Sequence, residues 1–202
     1  MPARALKVRL LSAKAVPPGR IVRGAGPAIV HGAGPGVPSG PGLHNGPMRI
    51  SARADYAVRA VLELAVRQGD GPATPVTAEA VAAEQGIPYK FLEGILGDLR
   101  RAGLVTSRRG GGGGYTLARE ASAITVADVI RAVDGPIVSV RGERPTGLTY
   151  TGSAEPLLPL WIALRANVRR ILEGVTLADI ATGELPEEVR GLAADPAAWE
   201  NP

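Results

Sequence analysis

Two arginine pairs, Arg100-Arg101 and Arg108-Arg109, stand on either side of residues 102–107. The first pair falls at the end of an apolar-periodic helix and the second at the base of a glycine-tipped hairpin. Guanidinium groups so placed reach phosphates on both sides of a nucleic-acid groove, and a hairpin arginine can enter a narrow minor groove. Taken alone, Arg100 and Arg101 read first as a solvated helix end, because cations there also complement the helix dipole. The hairpin behind them turns the balance toward DNA.

Tyr89, Lys90 and Glu93 form a second group at the front of the same helix. Lysine donates to guanine O6 and N7, glutamate accepts from cytosine N4, and tyrosine reaches phosphate. An ordinary polar helix face has similar weight when these three are viewed in isolation. The third feature is the glycine run 110–114, followed by Tyr115. A phosphate-cradling loop needs Lys-Ser/Thr after its glycines, so nucleotide binding is not indicated. Gly111, Gly112 and Gly113 instead suit a wing tip that lets backbone approach DNA closely.

The chain has no cysteine, and its two histidines, His31 and His44, both precede Met48. From Met48 onward this excludes disulfides, thiolate or imidazole zinc sites, cysteine-ligated clusters, cysteine nucleophiles and Ser-His-Asp relays. No carboxylate cluster has EF-hand spacing. No metal, no cofactor and no catalytic residue is expected, and an enzyme is the weakest reading.

The elements that must position these groups follow from periodicity and caps. Ser51 precedes a helical pattern of Tyr56, Ala57, Ala60, Val61, Leu64 and Ala65, ended by Gly69-Asp70-Gly71-Pro72. Thr77 caps a short helix over 78–85 with Gly86 as its stop, and a second helix starts with Pro88 as its first residue and ends at Ala102 before Gly103. Its apolar stripe is Phe91, Leu92, Ile95, Leu96 and Leu99. Strands over 104–108 and 115–117 enclose the glycine turn. The class is mainly α with a small β-hairpin: a winged helix-turn-helix over 48–134.

Thr125 with Asp128 opens a further helix that Gly135-Pro136 closes. Residues 135–156 read as a loop and a candidate sensing region. Leu157, Trp161, Leu164, Val168, Ile171 and Val175 then follow steps of four and three, the spacing of a coiled-coil seam, though the run is short of three heptads. Pro159 fits only the first turn. Thr176 with Asp179 caps a last short helix, so 157–183 reads as a dimerisation helix plus a short helix, and 184–202 as a loose tail.

The formal net charge of +4 invites a general nucleic-acid reading that does not survive division of the chain. Six of the 23 basic groups (Arg4, Lys7, Arg9, Lys14, Arg20, Arg23) precede Met48, where there is no acid. The remaining 17 face 19 acidic groups, a net charge of −2. The arginine pairs are thus local features of a slightly acidic domain. Residues 17–47 hold nine Gly and seven Pro, the composition of a disordered tail or of translation upstream of a start at Met48. Both readings stay open. The basic first 20 residues break their apolar run with Lys7, Arg9 and Lys14, which argues against a secretory signal, and no apolar stretch is long enough for a transmembrane helix.

Three blocks carry a resemblance: MRISARADYAVRAVLELA, QGIPYKFLEGILGDLRRAGLVTSRRGGGGGYTLAREASAITVADVIRAVDG and WIALRANVRRILEGVTLADI. They resemble the iron–sulfur-cluster regulators and nitric-oxide-sensitive repressors of the bacterial Rrf2 family, over about 48–183. The resemblance implies a homodimer paired through the long C-terminal helix, each winged helix reading half of an inverted repeat. It places Tyr89, Lys90 and Glu93 in the recognition helix, Arg109 and the glycines in the wing, and Ser51, Arg53 and Tyr56 in a first helix starting near the DNA backbone. Cluster-binding members carry three cysteines in the loop before the dimer helix. Here that loop has none, which excludes a cysteine-bound iron–sulfur sensor and leaves the input to an unknown ligand or partner protein. The expected function is a sequence-specific transcriptional regulator, a repressor binding double-stranded DNA in the cytoplasm, with no membrane partner. The alternative is a winged-helix module that docks proteins through the same hairpin.

Overall fold

The computed structural model describes residues 50–69 and 74–200. The expectations for 1–47, for a start at Met48 and for Asp70-Gly71-Pro72 lie outside the described residues. Helix α1, Ala52–Gln68, begins where the Ser51 hydroxyl accepts from the Ala54 amide at 2.9 Å. Its buried face is largely alanine (Ala54, Ala57, Ala60, Ala65) with Val61 and Leu64. Small side chains let neighbours come close, and α1 packs against every other helix of the domain core.

Helix α2, Ala78–Gln85, is capped by Thr77 and ends at Gly86, whose left-handed φ of 60° suits a residue without Cβ. Helix α3, Tyr89–Arg101, follows, with Pro88 as its cap rather than its first helical residue. Leu92, Ile95, Leu96 and Leu99 are buried as expected, but Phe91 is not: it is 65% exposed. The reason is local. Residues 88–91 and 93–94 are all exposed, so the first turn of α3 runs past the edge of the core and only Leu92 is held inside it.

Gly103, at φ 69°, lets the Leu104 amide return to the Leu99 carbonyl at 2.9 Å and aims the chain into the hairpin. Strand β1, Val105–Arg108, pairs antiparallel with β2, Gly114–Leu117, in the register Val105 to Leu117 and Arg108 to Gly114. Val76, just before α2, bridges Tyr115 with amide-to-carbonyl bonds of 2.9 and 2.8 Å, an isolated bridge beside the two-stranded sheet.

Helix α4, Val126–Asp134, carries the complete Thr125/Asp128 capping box, and α6, Leu177–Thr182, carries the same device at Thr176/Asp179. The carboxyl of Asp179 is held below its ordinary range by the Thr176 amide and hydroxyl. The two entry segments also pair with each other: Val126 donates to the Val175 carbonyl at 3.0 Å, and Leu177 to that of Ile124 at 2.9 Å. Val175 is consequently only 6% exposed, in this chain's own second apolar cluster.

That placement corrects the seam read from spacing. Helix α5 covers Leu157–Glu173 and Gly174 caps it, so Val175 lies beyond the helix and is spent on the subunit's own core. The expected loose tail differs too over its described residues, 184–200. They contain α7, Glu187–Ala193, whose Val189 packs with Leu185 on the second cluster and whose Glu188 pairs with Arg170 at 2.7 Å. Residues 135–156 form a loop with two one-turn 3-10 helices, Pro145–Gly147 and Gly152–Ala154, anchored by buried Val138, Pro145 and Leu148. No helix among the described residues is long and apolar enough to cross a membrane.

Candidate nucleic-acid interface

The two ends of α3 present different chemistry. At its start Tyr89, Lys90 and Glu93 are exposed, and Phe91 stands among them, an apolar group of the kind that meets a thymine methyl. The Tyr89 phenol is pushed above its usual range by partial desolvation, with the carboxylates of Glu79 and Glu93 adding to it. Lys90 has no ion-pair partner among the described residues.

At the other end, ten residues or about 15 Å further along the axis, Arg100 donates to the Ser107 hydroxyl at 3.3 Å and joins helix to wing. Arg101 pairs with Asp98, and so does Arg53 from α1. Asp98, 15% exposed in its side chain, therefore holds two of the candidate cations and returns a net single positive charge to the surface. Sequence reading missed this because Asp98 is an ordinary polar position on the helix, and its contact with Arg53 spans 45 residues.

Ser51 is likewise engaged twice, capping α1 and donating to Asp134 Oδ2 at 2.5 Å. Tyr56 is half-buried against the core, with the Arg59 guanidinium 5.7 Å from its ring centre. The start of α1 is thus clamped to both α3 and α4. Arg108 and Arg109 are exposed and, among the described residues, carry no ion pair.

The glycines divide into two sets. A Cβ at Gly111 or Gly112 would meet nothing within 4 Å, although Gly112 has φ 78°. A Cβ at Gly113 would stand 2.4 Å from the Arg108 carbonyl oxygen, and at Gly114 2.5 Å from that of Val76. Gly111 and Gly112 face outward, whereas Gly113 and Gly114 close the hairpin.

A helix-turn-helix whose second helix offers an exposed first turn, braced to a two-stranded wing with exposed arginines, defines a winged-helix regulator. The match to known proteins gives the particular class. The chain belongs to the Rrf2 family, described as iron-dependent transcriptional regulators, over residues 50–183. It is 49% identical over 154 residues to an HTH-type transcriptional regulator of Mycobacterium tuberculosis, covering 76% of this chain and 94% of that one. It is 36% identical to the regulator CymR of Bacillus subtilis, covering 67% and 91%. Among solved structures, that of CymR, titled the global cysteine regulator of B. subtilis, superposes with a TM-score of 0.56 at 35% identity over 67% of this chain and 97% of that one. T. potens IscR superposes at 0.54 and 32% identity, over 75% and 96%. The protein is a winged-helix transcriptional regulator.

Iron, present in the family's description, requires thiolate, imidazole or clustered carboxylate donors. Residues 135–156 contain no cysteine or histidine and only Glu143 and Glu155 as acids. No group of three such side chains able to hold a metal occurs among the described residues. The described residues do not fit an iron ion or a cluster.

Proposed function

We propose that the chain acts in the cytoplasm as a homodimeric repressor, occupying an inverted repeat in double-stranded DNA without an iron–sulfur cluster. What carries this reading is the first turn of α3, which leaves Tyr89, Lys90, Phe91 and Glu93 in solvent while the wing arginines, among the described residues, pair with no acid. A recognition helix offers base edges its N-terminal residues, and the flanking cations set its register on the phosphates. The purified chain is expected to retard specific genomic fragments at moderate salt. Site selection with Glu93→Ala should return a different preferred base at one position per half-site, since a good contact discriminates by about 1–3 kcal/mol. The same site from both proteins would remove Glu93 from base reading. Failure to retard any fragment would favour the protein-docking alternative.

Dimerisation is read from α5. This 17-residue helix has no buried residue in the isolated chain, yet it presents Leu157 and Leu160, 54% exposed in the latter case, beside half-buried Trp161, Leu164, Val168 and Ile171. An apolar helix face of this length is normally covered. Leu160→Glu is expected to convert a dimer to a monomer in sedimentation while circular dichroism stays unchanged. A dimer that persists would move the interface elsewhere.

A further inference from the structure

A cavity of about 370 Å³ lies between the end of α4, the segment that follows it and α5. Its charged lining is Arg131, Arg144, Arg165, Arg169 and Glu173, four guanidinium groups against one carboxylate. Glu173 is fully used: it accepts from Arg169 Nε at 2.9 Å and Nη2 at 3.2 Å, and also from Arg131. These arginines hold its carboxyl below the usual range, so it remains ionised and fixes Arg131 and Arg169 in place. Arg131 also lies 3.9 Å from Asp128, which does not line the cavity. Among the described residues Arg144 and Arg165 pair with no acid, and Arg165 is half-buried.

A concave site that gathers excess positive charge and partly withdraws it from water favours an anion, because guanidinium binds carboxylate and phosphate through paired, charge-assisted hydrogen bonds. Backbone donors stand nearby as well. Ile137 and Val138 line the cavity, and among the described residues their amides donate to no backbone carbonyl. One turn before Arg165 on the same face of α5, the indole Nε1 of Trp161 is enclosed and lacks an acceptor. The volume falls in the range of small-molecule sites.

We propose that this cavity binds a small molecule bearing two or more negative charges on carboxylate or phosphate groups, and that this molecule is the regulator's effector. Arg144 and Arg165 take the anion, while Glu173 orients Arg131 and Arg169 around it. The site touches both elements that matter for DNA binding. Arg165 and Arg169 belong to α5, the helix of the proposed dimer, and the Gly135-Pro136 wall continues from α4, whose Asp134 receives the Ser51 hydroxyl at the start of α1. The effector role rests on the reading of the chain as a DNA-binding dimer, whereas anion binding does not.

The chain has two tryptophans, Trp161 and Trp199, so a Trp199→Phe variant of the full chain leaves Trp161 as its reporter. Titrations with succinate, citrate and inorganic phosphate at constant ionic strength are expected to give a saturable fluorescence change with at least one of them. The midpoint should rise at least tenfold in Arg144→Gln and in Arg165→Gln. Arg144 is exposed and pairs with no acid among the described residues, so its variant keeps the fold and the test stands even if Arg165→Gln unfolds. No saturable response to any of the three anions, or equal midpoints in the arginine variants, overturns the site. Retardation of DNA with and without the responding anion separates the two readings. An anion that binds without changing retardation overturns the effector role alone. A chain that binds the anion and never retards DNA overturns the regulator mechanism and leaves the site standing.

Discussion

With Arg108 and Arg109 both replaced by alanine, the affinity for operator DNA is expected to become markedly less dependent on salt. Every phosphate that an arginine no longer neutralises takes about 0.9 from the slope of log K against log salt. Two such arginines in each wing of the proposed dimer give a flattening of about 3.6, read from binding isotherms between 50 and 200 mM salt. Binding should weaken on all sequences alike, since phosphate contacts carry no base information. Thermal unfolding should not move, because neither arginine pairs with an acid among the described residues. Arg101→Ala provides the contrast. It leaves Asp98 to Arg53 alone, so its effect on the slope should be smaller and accompanied by some loss of stability. An unchanged slope in the double variant would remove the wing from the DNA interface.

The parts of this fold that were legible in sequence are those written in local chemistry. Ser51, Thr77, Thr125 and Thr176 each open a helix by accepting a backbone amide three residues on, and such caps need only short-range information. The wing was legible for the same reason, since glycines between two short β-prone runs have few alternatives. What sequence could not supply depends on where a helix ends relative to the core. Phe91 fits the apolar stripe of α3 by spacing and yet stands in solvent, because the helix outruns the surface it packs on. Val175 continues the heptad spacing of α5 and yet is buried at home, because Gly174 ends the helix and the chain turns to pair with residues before α4. The segment 184–200, proline-flanked, forms α7 with contacts to α5 that no local pattern announces. The pairing of Arg53 and Arg101 on Asp98 is likewise a tertiary fact, and it reduces the positive charge that composition alone would assign to the interface.

Gly114→Ala is the substitution expected to cost the fold most for the least added mass. The new methyl carbon would lie 2.5 to 2.9 Å from the oxygen, carbon and nitrogen of Val76, all of them backbone, so no side chain can swing aside to admit it. The residue also has φ 153°, in the region that non-glycine residues rarely adopt. Relief requires Val76 to move, which breaks its two bonds to Tyr115 and shifts the N-terminus of α2 where Thr77 caps it. Overpacking of this kind costs about 1–3 kcal/mol and backbone strain adds a similar amount. A loss of about 3 kcal/mol corresponds to a melting temperature lower by about 10 °C for a domain of this size. Gly111→Ala should melt with the parent chain, because its Cβ meets nothing within 4 Å. If Gly111→Ala nevertheless binds DNA more weakly, the space that its methyl group fills is space that DNA occupies. The glycine run then divides by function into an outer part that admits a ligand's backbone and an inner part that closes the wing against the strand residue beside it. Parent-like melting of Gly114→Ala would mean that the Val76 bridge does not hold the wing in place.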